Sequence, residues 1–114
     1  MQLCDLAAKG FKVEEALARF MNKDAVYIKF LKKFVDDPNF VLLKESITKK
    51  DYSAATNQVH TIKGVAANLG IQPVFETTNA LLKKLRNNEL SEVDSLFIEV
   101  EKSYTDACNI IREL

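Results

Sequence analysis

The chain has 114 residues, of which 47% are hydrophobic and 28% are charged. This length suits one domain with one core, and the composition excludes a disordered or membrane-embedded chain. The 16 basic and 16 acidic residues give a formal net charge of zero. Because nucleic-acid binding depends on a basic surface that neutralises phosphates, we expect no nucleic-acid partner.

Membrane insertion and metal binding are also disfavoured by the sequence. No apolar run approaches the roughly 20 residues that cross a bilayer, and the first ten residues lack the apolar core of a signal peptide. We therefore expect a cytoplasmic protein that does not bind membranes. Cys4 and Cys108 are far apart and fit no metal-binding spacing, so we expect both to be packing residues.

Two helices are predicted in the first half of the chain, over residues 13 to 21 and 24 to 48. Asp24 is a suitable N-cap for the second helix. Pro38 lies inside it and should either kink the helix or restart it after Asp37. The inward-facing residues predicted for these two helices are Val13, Leu17, Phe20, Met21, Tyr27, Phe30, Leu31, Phe34, Leu42 and Ile47.

A third helix is predicted over residues 51 to 69, with Asp51 as its cap. Its apolar residues recur at alternating spacings of three and four, as an amphipathic helix requires. Gly70 follows, where a glycine can adopt the left-handed conformation that ends a helix. The apolar stripe consists of Tyr52, Ala55, Val59, Ile62, Ala66 and Leu69.

Two further helices are predicted over residues 73 to 87 and 91 to 113. Pro73 fits the first turn of one, and Ser91 is the expected cap of the other. Their core faces are Val74, Thr78, Leu81 and Leu85, and Val93, Phe97, Val100, Tyr104, Ala107, Ile111 and Leu114. Short connections make neighbouring helices antiparallel, so we expect an all-α fold. It would be an up-down four-helix bundle over about residues 24 to 113, with a short additional N-terminal helix, in one domain of residues 1 to 114.

His60 is the only histidine in the chain. At about 100° per residue, it lies roughly 130° from the centre of the apolar stripe, on the solvent side of the third helix. Lys63 lies about 60° to one side. The residues within about 40° of His60 are all small, namely Ser53, Thr56, Gly64 and Ala67. Glycine inside a helix costs about 0.5–1 kcal/mol relative to alanine, so Gly64 indicates that something approaches the backbone beside His60.

An exposed histidine suits phosphoryl transfer when it lies beside a lysine and beside a strip of small residues. We call the small residues around His60 the cleared strip. An exposed imidazole is largely neutral at pH 7, and its nitrogen can attack phosphorus. Such transfer depends on in-line positioning and charge stabilisation more than on a bound cofactor. Lys63 can place its ammonium beside the added negative charge.

Residues 60 to 70 read HTIKGVAANLG. This segment resembles the signature of histidine phosphotransfer (HPt) domains: His, any residue, an aliphatic residue, Lys and Gly, then a second Gly six positions on. The resemblance covers roughly residues 11 to 113. Phe30, Leu31 and Phe34 resemble the family's second helix, and residues 49 to 52 resemble its turn into the histidine helix. The departures are Pro38 and about ten extra residues before the first helix.

The resemblance implies that His60 is the phosphoacceptor, that Lys63 steadies the phosphoryl group, and that Gly64 leaves room for an aspartate of the partner. It implies a phosphorelay intermediate without kinase activity, whose partners are response-regulator receiver domains and a sensor or hybrid histidine kinase. The receiver would supply Mg²⁺, so we expect no cofactor or metal in this chain, and we expect a monomer. The residues expected to dock the partner are Ser53, Thr56, Asn57, Gly64 and Ala67.

Three other interpretations remain open from the sequence. The chain could be the phosphoacceptor domain of a chemotaxis-type kinase, which has a similar His-x-x-Lys-Gly core, or part of a larger hybrid sensor kinase. A hydrolase using His60 would need a second histidine or a phosphate-binding loop, and neither is found. A purely structural bundle leaves Gly64 unexplained.

Overall fold

The computed structural model describes all 114 residues, and its regular structure is helical throughout. The six α-helices are α1 (Val13–Arg19), α2 (Asp24–Val35), α3 (Pro38–Thr48), α4 (Tyr52–Leu69), α5 (Gln72–Arg86) and α6 (Val93–Arg112). Short 3₁₀ helices cover Leu3–Lys9 and Leu90–Glu92. The only β-type pairing is one isolated bridge between Phe11 and Ile71. The predicted all-α class is confirmed.

The segment predicted as one helix over residues 24 to 48 forms two helices. Pro38 is the first residue of α3, and the Asp37 carboxylate accepts a 2.8 Å hydrogen bond from the backbone N–H of Asn39. Proline has no N–H to donate and disfavours helical geometry in the residue before it. The chain therefore restarts a helix at Pro38, and does not bend a continuous one.

The other helix ends agree only in part with the caps predicted from the sequence. Asp51 caps α4 by accepting from the N–H of Ala54, and Gly70 ends α4 with φ of 72°. Pro73 lies in the first turn of α5, as predicted. The caps predicted at Asp24 and Ser91 are wrong, because Asp24 is already helical and Ser91 lies in the short 3₁₀ helix before α6.

One continuous core joins the helices, and the stripes predicted for the last three are buried apart from the half-buried Tyr52 and Leu114. Three predicted inward residues are exposed instead: Met21 by 77%, Phe30 by 40% and Leu42 by 44%. The restart at Pro38 resets the helical phase, so α3 buries Leu43 and not Leu42. Met21 lies in a turn after α1, with φ of 57°.

The two cysteines differ in burial, which the sequence did not predict. Cys108 is buried on α6 and packs in the core, whereas Cys4 is exposed and free. Packing is therefore the wrong interpretation for Cys4. No helix of the structure has both the length and the apolar character needed to cross a membrane.

The helix α4 lies at the centre of the arrangement that carries the candidate site. It packs chiefly against α3 on one side and α5 on the other, and α1 and α2 also contact it. The helix α5 packs in turn against α6. One face of α4 remains open to solvent, and that face carries His60.

Candidate functional site

His60 lies in the middle of α4 with its side chain exposed, as the helical spacing predicted. Its neighbour Val59 and the next apolar residue, Ile62, have no exposed surface. These buried residues fix the rotation of α4 about its own axis, so the imidazole must face solvent. The histidine therefore lies on the surface and takes no part in core packing.

The Arg86 guanidinium is the nearest polar partner of the imidazole. Its Nη2 atom lies 3.3 Å from Nδ1 of His60, and Arg86 is the last residue of α5. No carboxylate forms an ion pair with His60. Sequence analysis missed Arg86 because 26 residues separate it from His60. The available signal was the basic last turn of α5, but cations there are already explained by the negative end of the helix dipole.

Lys63 also faces α5. Its Nζ atom lies 5.7 Å from the centre of the Phe75 ring, at a distance typical of a cation–π contact. The side chain is half-buried, so its alkyl stem packs against the protein while the ammonium stays near the surface. The structure therefore places two cations, Lys63 and Arg86, on the α5 side of the histidine helix.

Gly64 borders open space one turn beyond His60. A Cβ atom built on Gly64 would meet no other atom within 4 Å, so close packing of another helix of this chain does not explain the glycine. Of the other predicted docking residues, Ser53, Asn57 and Ala67 are exposed, and Thr56 is half-buried. The Thr56 hydroxyl donates to the Tyr52 carbonyl at 2.7 Å, which leaves mainly its methyl group to a partner.

An apolar groove adjoins this strip at the far end of α4. Four of its seven lining residues are apolar, namely Phe30 and Phe34 of α2 and Val65 and Leu69 of α4, and the other three are Lys33, Asp37 and Asn68. Phe30 is the exposed aromatic residue that the sequence placed in the core. It stacks on Phe20, with 5.3 Å between ring centres. The open face of α4 therefore continues into an apolar surface on α2.

The guanidinium of Arg19 fixes the end of the histidine helix. Its Nη1 atom donates to the backbone carbonyls of Ala67 and Asn68, at 3.1 and 2.9 Å. These carbonyls belong to the last turn of α4, where backbone acceptors lack partners within the helix. No group of three or more His, Cys, Asp or Glu side chains is arranged to hold a metal ion.

Comparison with known protein families identifies the chain. The family model described as the Hpt domain matches residues 32–109, which is well over half of the chain. This span contains α3, α4 and α5 and most of α6. No curated protein and no solved structure matches the chain. The chain therefore belongs to the Hpt domain family, whose members carry out histidine phosphotransfer between kinases and response-regulator receiver domains in two-component phosphorelays.

Proposed function

We propose that His60 is the phosphoacceptor and that this chain exchanges a phosphoryl group with an aspartate of a receiver domain. The observation that carries the proposal is the exposed imidazole beside the open space over Gly64. A receiver must bring its aspartate close enough for in-line transfer, and bulk beside the ring would keep the two backbones apart. The cleared strip supplies that access.

The attacking atom in this proposal is Nε2 of His60, the ring nitrogen that does not contact Arg86. When the proton of the neutral ring lies on Nδ1, the Nε2 lone pair forms the bond to phosphorus while the bond from phosphorus to the aspartyl oxygen breaks. The leaving group is the aspartate carboxylate, and the imidazole ring gives up one proton to water. The ammonium of Lys63, one turn further along α4, favours the added negative charge. Mg²⁺ would come with the receiver, so transfer needs no metal in this chain.

Docking would use the exposed face of α4 and the apolar groove beside it. Ser53, Asn57, Gly64 and Ala67 would contact the receiver around the imidazole, with the Thr56 methyl at the edge. Phe30 would add apolar area, which an exposed aromatic residue supplies at little cost in side-chain entropy. Exposed apolar surface next to a reactive side chain is typical of an interaction site.

We also propose that residues 1–114 act as one monomeric domain without kinase activity. Its working core would be an antiparallel up-down four-helix bundle, in which α2 and α3 together form the first member and α4, α5 and α6 the others. The short connections and the packing of α4 between α3 and α5 support this arrangement.

Incubation with a phosphorylated receiver domain tests the proposal. With Mg²⁺ present, radioactive label should move from the receiver to this chain, and the product should be labile to acid. His60→Gln should accept no label. Its free energy of unfolding should stay within about 0.5 kcal/mol of the wild type, because the side chain is exposed and away from caps. Label on His60→Gln, or none on the wild type with any receiver, would overturn the proposal.

A further inference from the structure

The contact between Arg86 and His60 favours one position for the proton of the neutral imidazole. A guanidinium has only donors, so its contact with Nδ1 requires a lone pair on that nitrogen. The proton of the neutral ring then lies on Nε2. The protein offers no competing acceptor for a proton on Nδ1, because this contact is the only hydrogen bond of the His60 side chain. The other nearby cation, Lys63, is directed to Phe75.

We propose that Arg86 is a positioning residue that keeps Nδ1 of His60 free of a proton and thereby prolongs the life of the phosphohistidine. The inference rests on the proposed phosphoacceptor role of His60. It adds a role for a residue of α5 that contacts the ring nitrogen not bonded to phosphorus.

Formation of the phosphohistidine requires the Arg86 guanidinium to move away from Nδ1 for a short time. For Nε2 to attack, the ring must carry its proton on Nδ1, and the guanidinium must withdraw. The new bond from Nε2 to phosphorus then leaves a cationic ring that still holds a proton on Nδ1. Loss of this proton to water gives a neutral ring with a lone pair on Nδ1, and Arg86 can return to it.

Loss of the phosphoryl group to water depends on the same nitrogen. When the bond between Nε2 and phosphorus breaks, its electron pair stays on the ring. A ring protonated at Nδ1 leaves as neutral imidazole, whereas an unprotonated ring must leave as imidazolate, which is a far poorer leaving group. Because Arg86 occupies the Nδ1 lone pair and places a positive charge beside it, the guanidinium disfavours the labile protonated form.

Nitrogen NMR of the imidazole tests the first half of the inference without any phosphorylation. His60 is the only histidine, so labelling histidine with ¹⁵N gives the spectrum of this ring alone. In the neutral wild-type ring, Nδ1 should show the shift of an unprotonated nitrogen and Nε2 that of a protonated one. Arg86→Met should move both shifts toward the tautomer mixture of free histidine, and Arg86→Lys should restore them in part.

The matched control removes a neighbouring charge from the same helix. Lys83 is exposed in the last turn of α5 and forms no hydrogen bond with His60. Lys83→Met should leave the imidazole shifts as in the wild type. If Lys83→Met and Arg86→Met shift the ring equally, general charge explains the effect and the inference is overturned.

The lifetime of the phosphorylated protein tests the second half. After phosphorylation by phosphoramidate and removal of the donor, Arg86→Met should lose its phosphoryl group about fivefold faster than the wild type, the effect expected of an exposed charged contact. Lys83→Met should match the wild type. Equal lifetimes for Arg86→Met and the wild type would overturn the inference and leave the proposed function intact. A wild type that accepts no phosphoryl group from any donor would overturn both.

Discussion

Tyr104 on α6 donates a 2.7 Å hydrogen bond to the backbone carbonyl of Phe34, where α2 ends before Pro38. The Val35 carbonyl lies 3.2 Å from the same hydroxyl. The Tyr104 ring stacks on Phe40, with 4.2 Å between ring centres and 6° between their planes. One side chain thus joins the end of α2 and the start of α3 to the last helix. This contact holds the break between the two helices in the orientation that lets both reach the core.

We predict that Tyr104→Phe lowers the free energy of unfolding by about 1 kcal/mol, because it removes a buried hydrogen bond but keeps the ring. Urea denaturation should show a lower midpoint with an unchanged slope. Tyr52→Phe is the matched control, since the half-buried Tyr52 hydroxyl forms no hydrogen bond. Equal losses in the two variants would show that the contact with Phe34 contributes nothing specific.

Stability at high pH should depend on Tyr27. Burial raises the pKa of Tyr27 from 10.0 to about 12, and the positive charge of Arg19 opposes the shift. The folded state therefore holds the phenolic proton more tightly than the unfolded chain does. The contribution of Tyr27 is complete below pH 10 and decreases as pH rises through about 12. The decrease should reach about 2 kcal/mol.

Tyr27→Phe separates this effect from the titration of the lysines. The variant loses the 2.7 Å hydrogen bond from the Tyr27 hydroxyl to the Leu69 carbonyl, so it should be less stable at neutral pH. Its stability should nevertheless fall less steeply than that of the wild type between pH 10 and about 12. Parallel curves for the two proteins, measured by urea denaturation at each pH, would contradict the prediction.

The local pattern of apolar residues was sufficient to predict the all-helical class and the face of α4 that is buried. The stripe from Ala55 to Leu69 is buried as expected, because a long amphipathic helix has only one way to bury a continuous apolar face. The errors occur where one helix ends and another begins, because the rotational phase of the apolar stripe changes there. Pro38 resets the phase of α3, and residues near such a restart, including Leu42, no longer follow the periodicity of the helix before it.

The candidate site was predictable in the part that lies on one helix. His60, Lys63 and Gly64 are close in sequence, so helical geometry alone relates them. Arg86 and Phe75 lie on α5, and their contacts with the site depend on how α5 packs against α4. No single-helix argument contains that information. The packing of α5 against α4 therefore places the Arg86 guanidinium beside His60 and the Phe75 ring beside the Lys63 ammonium.

Lys63→Ala should still accept phosphate, but more slowly, with a changed phosphohistidine lifetime. The effect should stay within about fivefold, since an exposed ion pair contributes no more than about 1 kcal/mol. Lys63→Arg should behave nearly as the wild type, because it keeps a cation that can lie over Phe75. Lys49→Ala, which removes an exposed lysine after α3, is the charge control. Wild-type transfer by Lys63→Ala with every receiver tested would show that Lys63 has no role.

Gly64→Gln should stabilise the isolated protein while impairing its exchange with a receiver. A side chain at this position meets no other atom within 4 Å of its Cβ, and glutamine is the better helix former, so the melting temperature should rise slightly. In a complex, the same side chain would occupy the space that the receiver backbone needs. A displacement of about 1 Å can cost on the order of a hundredfold in rate, so receiver transfer should slow sharply.

Two comparisons identify docking as the cause of that loss. Phosphoramidate needs no docking, so it should phosphorylate Gly64→Gln nearly as fast as it phosphorylates the wild type. Thr105→Gln places the same side chain at an exposed position of α6, outside the proposed docking face of α4, and should transfer normally. Melting temperature and transfer rate are measured on the same preparations, which separates a folding defect from a docking defect. Unchanged receiver transfer by Gly64→Gln would show that the partner does not approach over this strip, and the glycine would then lack a functional explanation.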